Sequence, residues 1–239
     1  MTEKKIVPLD SAKHKNLRIN VDRNYGHASE HNMVPLLASE FLPASTNFPI
    51  VFVKQQETGA FKSVGLLGLD EKENLIFSNG KVKSNYIPVN FRRYPFSAAG
   101  KNTNESEMML CIDESSSLLN EHEGSLLFND DGKPSETVNS VTHLITDILA
   151  KDAATDVFIA FLTEHDLLQP AEVTLQLGDE GNKKLNGLYK VDEEALNELS
   201  DDVVLTLYKR KYFAAIYTHL ASLGQFNRLL QLKFNYTPE

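Results

Sequence analysis

The amino-acid sequence predicts an α+β protein: a mostly antiparallel sheet from the N-terminal half, packed with C-terminal helices and an additional hairpin. Three observations predict it. Short apolar runs of strand length, bounded by turn residues, occupy residues 49–112. From residue 136 onward the apolar residues recur at three- and four-residue spacing. The two kinds of run are partly segregated along the chain, which separates α+β from a regularly alternating parallel fold.

Residues 1–32 are polar and short of apolar periodicity, with Lys4, Lys5, Lys13, Lys15, Arg18 and Arg23 among them. They read as an extended N-terminal arm with short turns, laid over the body of the protein. Residues 33–239 are expected to form a single domain. Residues 33–48 read as a short amphipathic helix with irregular flanks, with Pro35 in its first turn and Pro43 ending it. Strands follow at Pro49–Lys54, at Ala60–Leu69, at Leu75–Phe77 before the Asn79-Gly80 turn, and at Met108–Ile112. Gly65 and Gly68 mark a bulge or a close approach of backbone. Residues 98–107 and 129–134 are polar loops.

Val138, Val141, Ile145, Ile148 and Leu149 line one helix face, and Val157, Phe158, Phe161 and Leu162 a second, with Pro170 as the stop. Val173–Leu177 and Lys184–Val191 flank a five-residue loop and predict the hairpin. Asp192 and Ser200 are N-caps for the helices that follow. Phe213, Ile216, Tyr217, Leu220 and Leu223 line one helical face, and Gly224 precedes a last short helix.

Composition narrows the function classes. Hydrophobic residues at 41% and charged residues at 24% are ordinary globular usage, so a packed core is expected. A net charge of −9 opposes binding to phosphate backbones and anionic lipid surfaces, and no nucleic-acid partner is expected. No eighteen apolar residues run together, so no membrane insertion is expected. Cys111 is the only cysteine, which rules out an internal disulfide and suits a reducing compartment. With no leader-like apolar stretch near Met1, the expected location is the cytoplasm.

Several segments of the chain, taken together and in order, carry a resemblance to one family. They include His14-Lys15-Asn16-Leu17-Arg18, Val34-Pro35-Leu36-Leu37-Ala38-Ser39-Glu40-Phe41 and Phe48-Pro49-Ile50-Val51-Phe52. The most distinctive runs from Tyr86-Ile87-Pro88 through Arg92-Arg93-Tyr94-Pro95-Phe96. Cys111-Ile112-Asp113, Leu126-Leu127-Phe128, Gly187-Leu188-Tyr189-Lys190-Val191 and Ile216-Tyr217-Thr218-His219-Leu220 complete the series, which resembles the SapC-like family in the order that the family shows. Phe48 departs from the Tyr usual at its position, a change of one hydroxyl. The resemblance implies a bacterial protein associated with paracrystalline surface layers and their export, distinct from the transporter permease of the same name. It implies no reaction, cofactor or catalytic residue.

Five residues are nominated for ligand binding: His14, Arg18, Arg92, Arg93 and Asp113. Adjacent arginines amid aromatics suit a planar anion, a carboxylate or phosphate. The competing reading is a structural tie to the acidic body. His14 and Arg18 either join Arg93 in a polar pocket or dock the arm by hydrogen bonds. Asp113 and Glu114 follow a strand end, where a carboxylate pair serves as acid and base or simply makes a turn.

His27 and His31 have metal-ligand spacing, but Glu30 sits beside the second histidine, not after the first as in metalloproteases, and loop histidines are the plainer reading. Asp130-Asp131-Gly132 lacks the alternating ligands of a calcium loop. Cys111, between Leu110 and Ile112, reads as a buried inert thiol. His219 reads as a packed histidine. Tyr212, Phe213, Tyr217 and Phe226 read as core, with a homo-oligomer through part of that stripe left open. No metal and no cofactor are expected.

The function expected first is a non-catalytic accessory or binding protein linked to a bacterial surface-layer or envelope pathway, with a protein partner or a small anionic ligand. The alternative is an enzyme acting on a peptide or small anionic substrate at a pocket formed by His14, Arg18, Arg93 and Asp113.

Overall fold

A computed structural model describes residues 4–20, 25–78, 80–100, 108–176 and 181–234. The chain divides into two compact units, both discontinuous in sequence. One comprises Met1–Asn24 and Val89–Ala150, the other Tyr25–Pro88 and Lys151–Glu239. Every strand pairing among the described residues is antiparallel.

In the first unit, Met109–Asp113 is the middle strand between Ile6–Pro8 and Phe96–Ala99. Arg18–Ile19 is in turn the middle of a smaller sheet, flanked by Leu119–Asn120 and Ser125–Leu126. The start of the long helix Glu136–Glu164 lays Val138, Val141 and Ile145 onto a core made with Ile19, Phe96, Ile112, Leu118, Leu127 and Phe128. These helix residues sit at i, i+3 and i+7, which is one face of an α-helix. Full burial of a side chain such as Ile112 stabilises by about 1.5–3 kcal/mol.

The N-terminal residues, read from sequence as an arm, supply strands to both of these sheets. Val7, Leu9 and Leu17 pack against the core, and Ile19 belongs to it. The pairs Val7/Leu9 and Leu17/Ile19 each alternate with period two, the spacing of a half-buried strand. Two-residue pieces of that pattern do not stand out among six basic residues.

In the second unit the sheet order is Leu168–Pro170, Leu188–Val191, Ile50–Lys54, Phe61–Leu66, Met33–Pro35. Ile50, Val51 and Phe52 in the central strand are each fully buried, which explains the unbroken apolar run in the sequence. Both edge strands end in proline, at Pro35 and Pro170. Proline lacks the N–H a ladder needs, so an edge is where a sheet tolerates it.

Pro35 therefore marks a strand, and the helix expected over 33–48 is confined to Phe41–Ser45 after a 3-10 turn at Ala38–Glu40. Pro43 sits in that helix's first turn, where its missing donor has no intrahelical partner to lose. Gly65 is a close approach as expected: a Cβ there would lie 2.5 Å from the Phe48 ring.

The strand and helix runs do pack together within this unit. The helix Tyr212–Ser222 lies against the strand Ile50–Lys54 and the helix Phe41–Ser45, burying Ile216, His219 and Ser222. Phe158 stands edge-on to Phe41 at 6.3 Å and to Tyr212 at 4.9 Å. The two apolar faces expected after residue 136 belong to one 29-residue helix, although Val157 points outward and is 54% exposed.

The expected hairpin forms between Val173–Gln176 and Asn182–Leu185. Its second strand does not run on to Val191. Gly187, at φ 76°, turns the chain, and Leu188–Val191 joins the main sheet instead. Asp192 caps the next helix, accepting from the backbone N–H groups of Glu194 and Ala195. Ser200 occupies the following cap position without a side-chain bond. Asn79, residues 101–107 of the first polar loop, and residues 177–180 around the hairpin loop lie outside the described residues. Among the described residues no helix is long and apolar enough to cross a membrane.

Candidate functional site

A polar cluster of the first unit forms where the strand Met109–Asp113 ends. Asp113 is 3% exposed. Its Oδ1 accepts from the Lys5 backbone N–H at 3.1 Å, the Ser115 N–H at 3.1 Å and the Ser115 hydroxyl at 2.6 Å. Its Oδ2 accepts from the Tyr94 hydroxyl at 3.3 Å. Burial pushes this carboxyl's pKa up, but the donors from Ser115, Lys5 and Tyr94 outweigh it and hold the group below its ordinary value.

Glu114 is the neighbouring hub. Lys13 Nζ lies at 2.5 Å, Lys5 Nζ at 2.7 Å and His14 Nε2 at 3.0 Å from its oxygens. Those partners, Lys13 foremost, then Lys5 and His14, lower its pKa to about 2. His14 is buried, and its Nδ1 accepts the Asp10 backbone N–H at 3.0 Å. An accepting Nδ1 carries no proton, so Nε2 donates to Glu114. Both ring nitrogens are thereby engaged, in bonds that dock residues 5–14 onto the strand end.

The two arginines sit differently. Arg92 closes the short helix Val89–Arg92; it is exposed and lines a cavity of about 440 Å³ with Phe96, Glu136 and Leu144. Arg93 is half-buried, and burial lowers its pKa. Its Nε donates to Asn90 at 3.0 Å and its Nη1 to the Phe96 carbonyl at 3.1 Å. Arg18, on the strand Arg18–Ile19, donates to the Gly124 carbonyl at 2.9 Å and lines another cavity, of about 280 Å³, with Lys15, Glu121 and Asp130.

Of the five nominated residues, His14 and Asp113 are thus brought to one strand end through Glu114 and Lys5. Arg93 is next to Tyr94, which touches Asp113, but the two bonds it makes, to Asn90 and Phe96, are to its local turn. Arg18 and Arg92 face separate concavities. Sequence reasoning passed over Glu114 as the hub, Lys5 and Lys13 as its partners, and Tyr94 as a donor to Asp113. The available signal was a run of basic residues at the N-terminus of an acidic chain, which needs carboxylates to meet it.

In the second unit, a concavity of about 600 Å³ has Phe61, Ile159 and Ala160 in its lining. The Lys62–Asp156 ion pair, at 2.5 Å, and Glu164 border it. Elsewhere in this unit His219, fully buried, bridges two strands. Its Nδ1–H donates to the Ile50 carbonyl at 2.8 Å, and its Nε2 accepts the Val191 N–H at 3.1 Å. Leu188 pairs with Val53 and Tyr189 with Phe52, so continuing that register sets Val191 opposite Ile50. The imidazole therefore stands in for the next rung of the ladder. Burial depresses its pKa to about 4, against the opposing effect of the Ile50 carbonyl. Ser222 completes the arrangement, accepting from the Ile50 N–H at 2.9 Å.

His27 lies on a 3-10 turn, Gly26–Ala28, with its ring 6.0 Å from Tyr25. Among the described residues no three His, Cys, Asp or Glu side chains converge to hold a metal ion. Asp131 pairs with Lys133 at 2.9 Å in an ordinary turn, and Cys111 is buried. Phe226 is core, Tyr212 and Phe213 are half-buried, and Tyr217 is exposed.

Compared with known proteins, the chain matches the family model described as SapC over residues 9–229. No curated protein and no solved structure matches it.

Proposed function

The chain belongs to the SapC family, and from that premise we propose that it is a non-catalytic accessory or binding protein of a bacterial surface-layer or envelope pathway, acting from the cytoplasmic side. One observation supports this reading over the enzymatic alternative. The polar groups best suited to chemistry are consumed within the fold: both ring nitrogens of His14 and both carboxylate oxygens of Asp113 are bonded, in residues 3% exposed. A general acid or base must reach a substrate proton. These groups reach backbone and side-chain partners that hold one strand end together.

The test has two parts. Deleting the gene in its bacterial host is expected to change the amount of surface-layer or envelope protein reaching the cell surface, measured by quantitative proteomics of surface fractions. Complementation with Arg93→Lys or Asp113→Asn is then expected to succeed to the extent that the variant accumulates as folded protein. A variant that folds with unchanged melting temperature yet fails to complement would support the pocket reading instead. A deletion that leaves the surface fraction unchanged would remove the pathway from this proposal.

A further inference from the structure

The helix Asp201–Lys209 has two unlike faces. Toward its own unit it buries Leu207 and half-buries Val203 and Thr206. On the other side Val204, Leu205 and Tyr208 are 38%, 48% and 72% exposed. At 3.6 residues per turn, Asp201, Val204, Leu205 and Tyr208 fall in one stripe opposite the buried face. These three large apolar groups are neighbours on one nine-residue helix, a contiguous strip rather than scattered single side chains.

Charge determines what fits it. The helix begins at Asp201 and Asp202 and ends at Lys209, followed by Arg210 and Lys211. Arg210 leans over the Phe161 ring at 5.6 Å. Among the described residues, Asp201, Asp202, Lys209 and Lys211 make no ion pair within the chain. A helix that is acidic at one end, apolar in the middle and basic at the other is complementary to itself when reversed. A two-fold axis passing between Val204 and Leu205 sets Val204 against Leu205 of a second copy. The same axis sets Asp201 against Tyr208 and next to Lys209 of that copy. A parallel arrangement would set like charges together.

We propose that this chain forms a two-fold symmetric dimer by packing its Asp201–Lys209 helix antiparallel against the same helix of a second copy, with Val204, Leu205 and Tyr208 as the seam and Asp201 and Lys209 as reciprocal ion pairs. Such an isologous contact is the commonest form of homo-oligomer. The adjoining helix Tyr212–Ser222 exposes Tyr217, 54% accessible and stacked on Phe213 at 6.1 Å. The seam is small beside the roughly 800 Å² per partner of a stable interface. The dimer is therefore weak and concentration-dependent.

Sedimentation equilibrium on the full chain tests this, over about 1 µM to about 1 mM, the range in which weak association shows. Wild type is expected to dimerise reversibly, and Leu205→Glu to remain monomeric. Asp201→Lys and Lys209→Glu are each expected to weaken dimerisation about tenfold or more by placing like charges opposite. Mixing those two variants in equal amounts is expected to recover association, because each supplies the charge the other lacks. All three positions are exposed, and thermal melts check that the variants fold. A wild type monomeric across the whole range would overturn the proposal. So would a dimer indifferent to Leu205→Glu, or a mixture that fails to recover.

Discussion

Each compact unit ties down a strand terminus with a buried polar side chain, yet the two ties are of opposite kind. In the first unit Asp113 and Glu114 are ionised, and their pKa values are held down. In the second, His219 is a neutral ring whose pKa is pushed down to about 4. The surroundings account for this. Glu114 meets lysines whose side chains are 67% and 54% exposed, so water still solvates the cations. His219 is enclosed completely, where an unpaired charge is expensive and a neutral group with two satisfied nitrogens is not. One tie depends on charge and the other on its absence, so the two should fail under different conditions.

The largest effect is expected from His219→Leu. It leaves the Val191 N–H and the Ile50 carbonyl buried without the ring that joins them, and about 3–5 kcal/mol of stability should be lost in urea denaturation. A loss below about 1 kcal/mol would mean that the strands close the gap by themselves. Asp113→Ala is expected next, at about 2–4 kcal/mol, since it strands donors from Lys5, Ser115 and Tyr94. Asp113→Asn, which keeps an acceptor oxygen, should lose less.

Acid should separate the two ties in sequence. Stability rises with pH wherever the unfolded chain binds more protons. For His219 that window runs from about 4 in the fold to the ordinary 6.5 when unfolded. Its contribution is fully present above pH 6.5 and is lost as the pH falls toward 4, a change of up to about 3 kcal/mol. For Glu114 the window lies lower, from the ordinary 4.5 down to about 2, and its contribution is lost as the pH falls through that range. Urea midpoints measured against pH should show the upper step vanish in His219→Leu and persist in Glu114→Gln. At neutral pH Glu114→Gln is the mildest change, at about 1 kcal/mol or less, because its cations are largely solvated.

Much of the second unit was legible in the sequence because its signals are local. Ile50–Phe52 announces a doubly buried strand, Asp192 a helix cap, and Gly65 a tight approach, each from residues a few positions apart. The first unit was harder to read. Its sheets are assembled from strands of two to five residues, three of them at most in a row. Two-residue strands hold no periodicity to detect. Pro35 was read as a helix start because proline suits a first turn, while the structure uses it at a sheet edge, where the same missing donor is equally harmless.

Of the candidate site, the residue types were legible and the partnerships were not. His14, Asp113 and Arg93 stood out as polar groups in apolar or aromatic company. Nothing nearby in sequence told that Lys5 and His14 reach residues about a hundred positions away at Asp113 and Glu114.

The α+β class and membership of the SapC family were carried by the sequence alone, because each depends on spacing and composition along the chain. Which polar groups are spent on holding the fold, and which face of the Asp201–Lys209 helix is left outward, was decided only in three dimensions. The reason is that a hydrogen bond or a buried face depends on distance in space, and segments far apart in the chain supply the two sides of each contact.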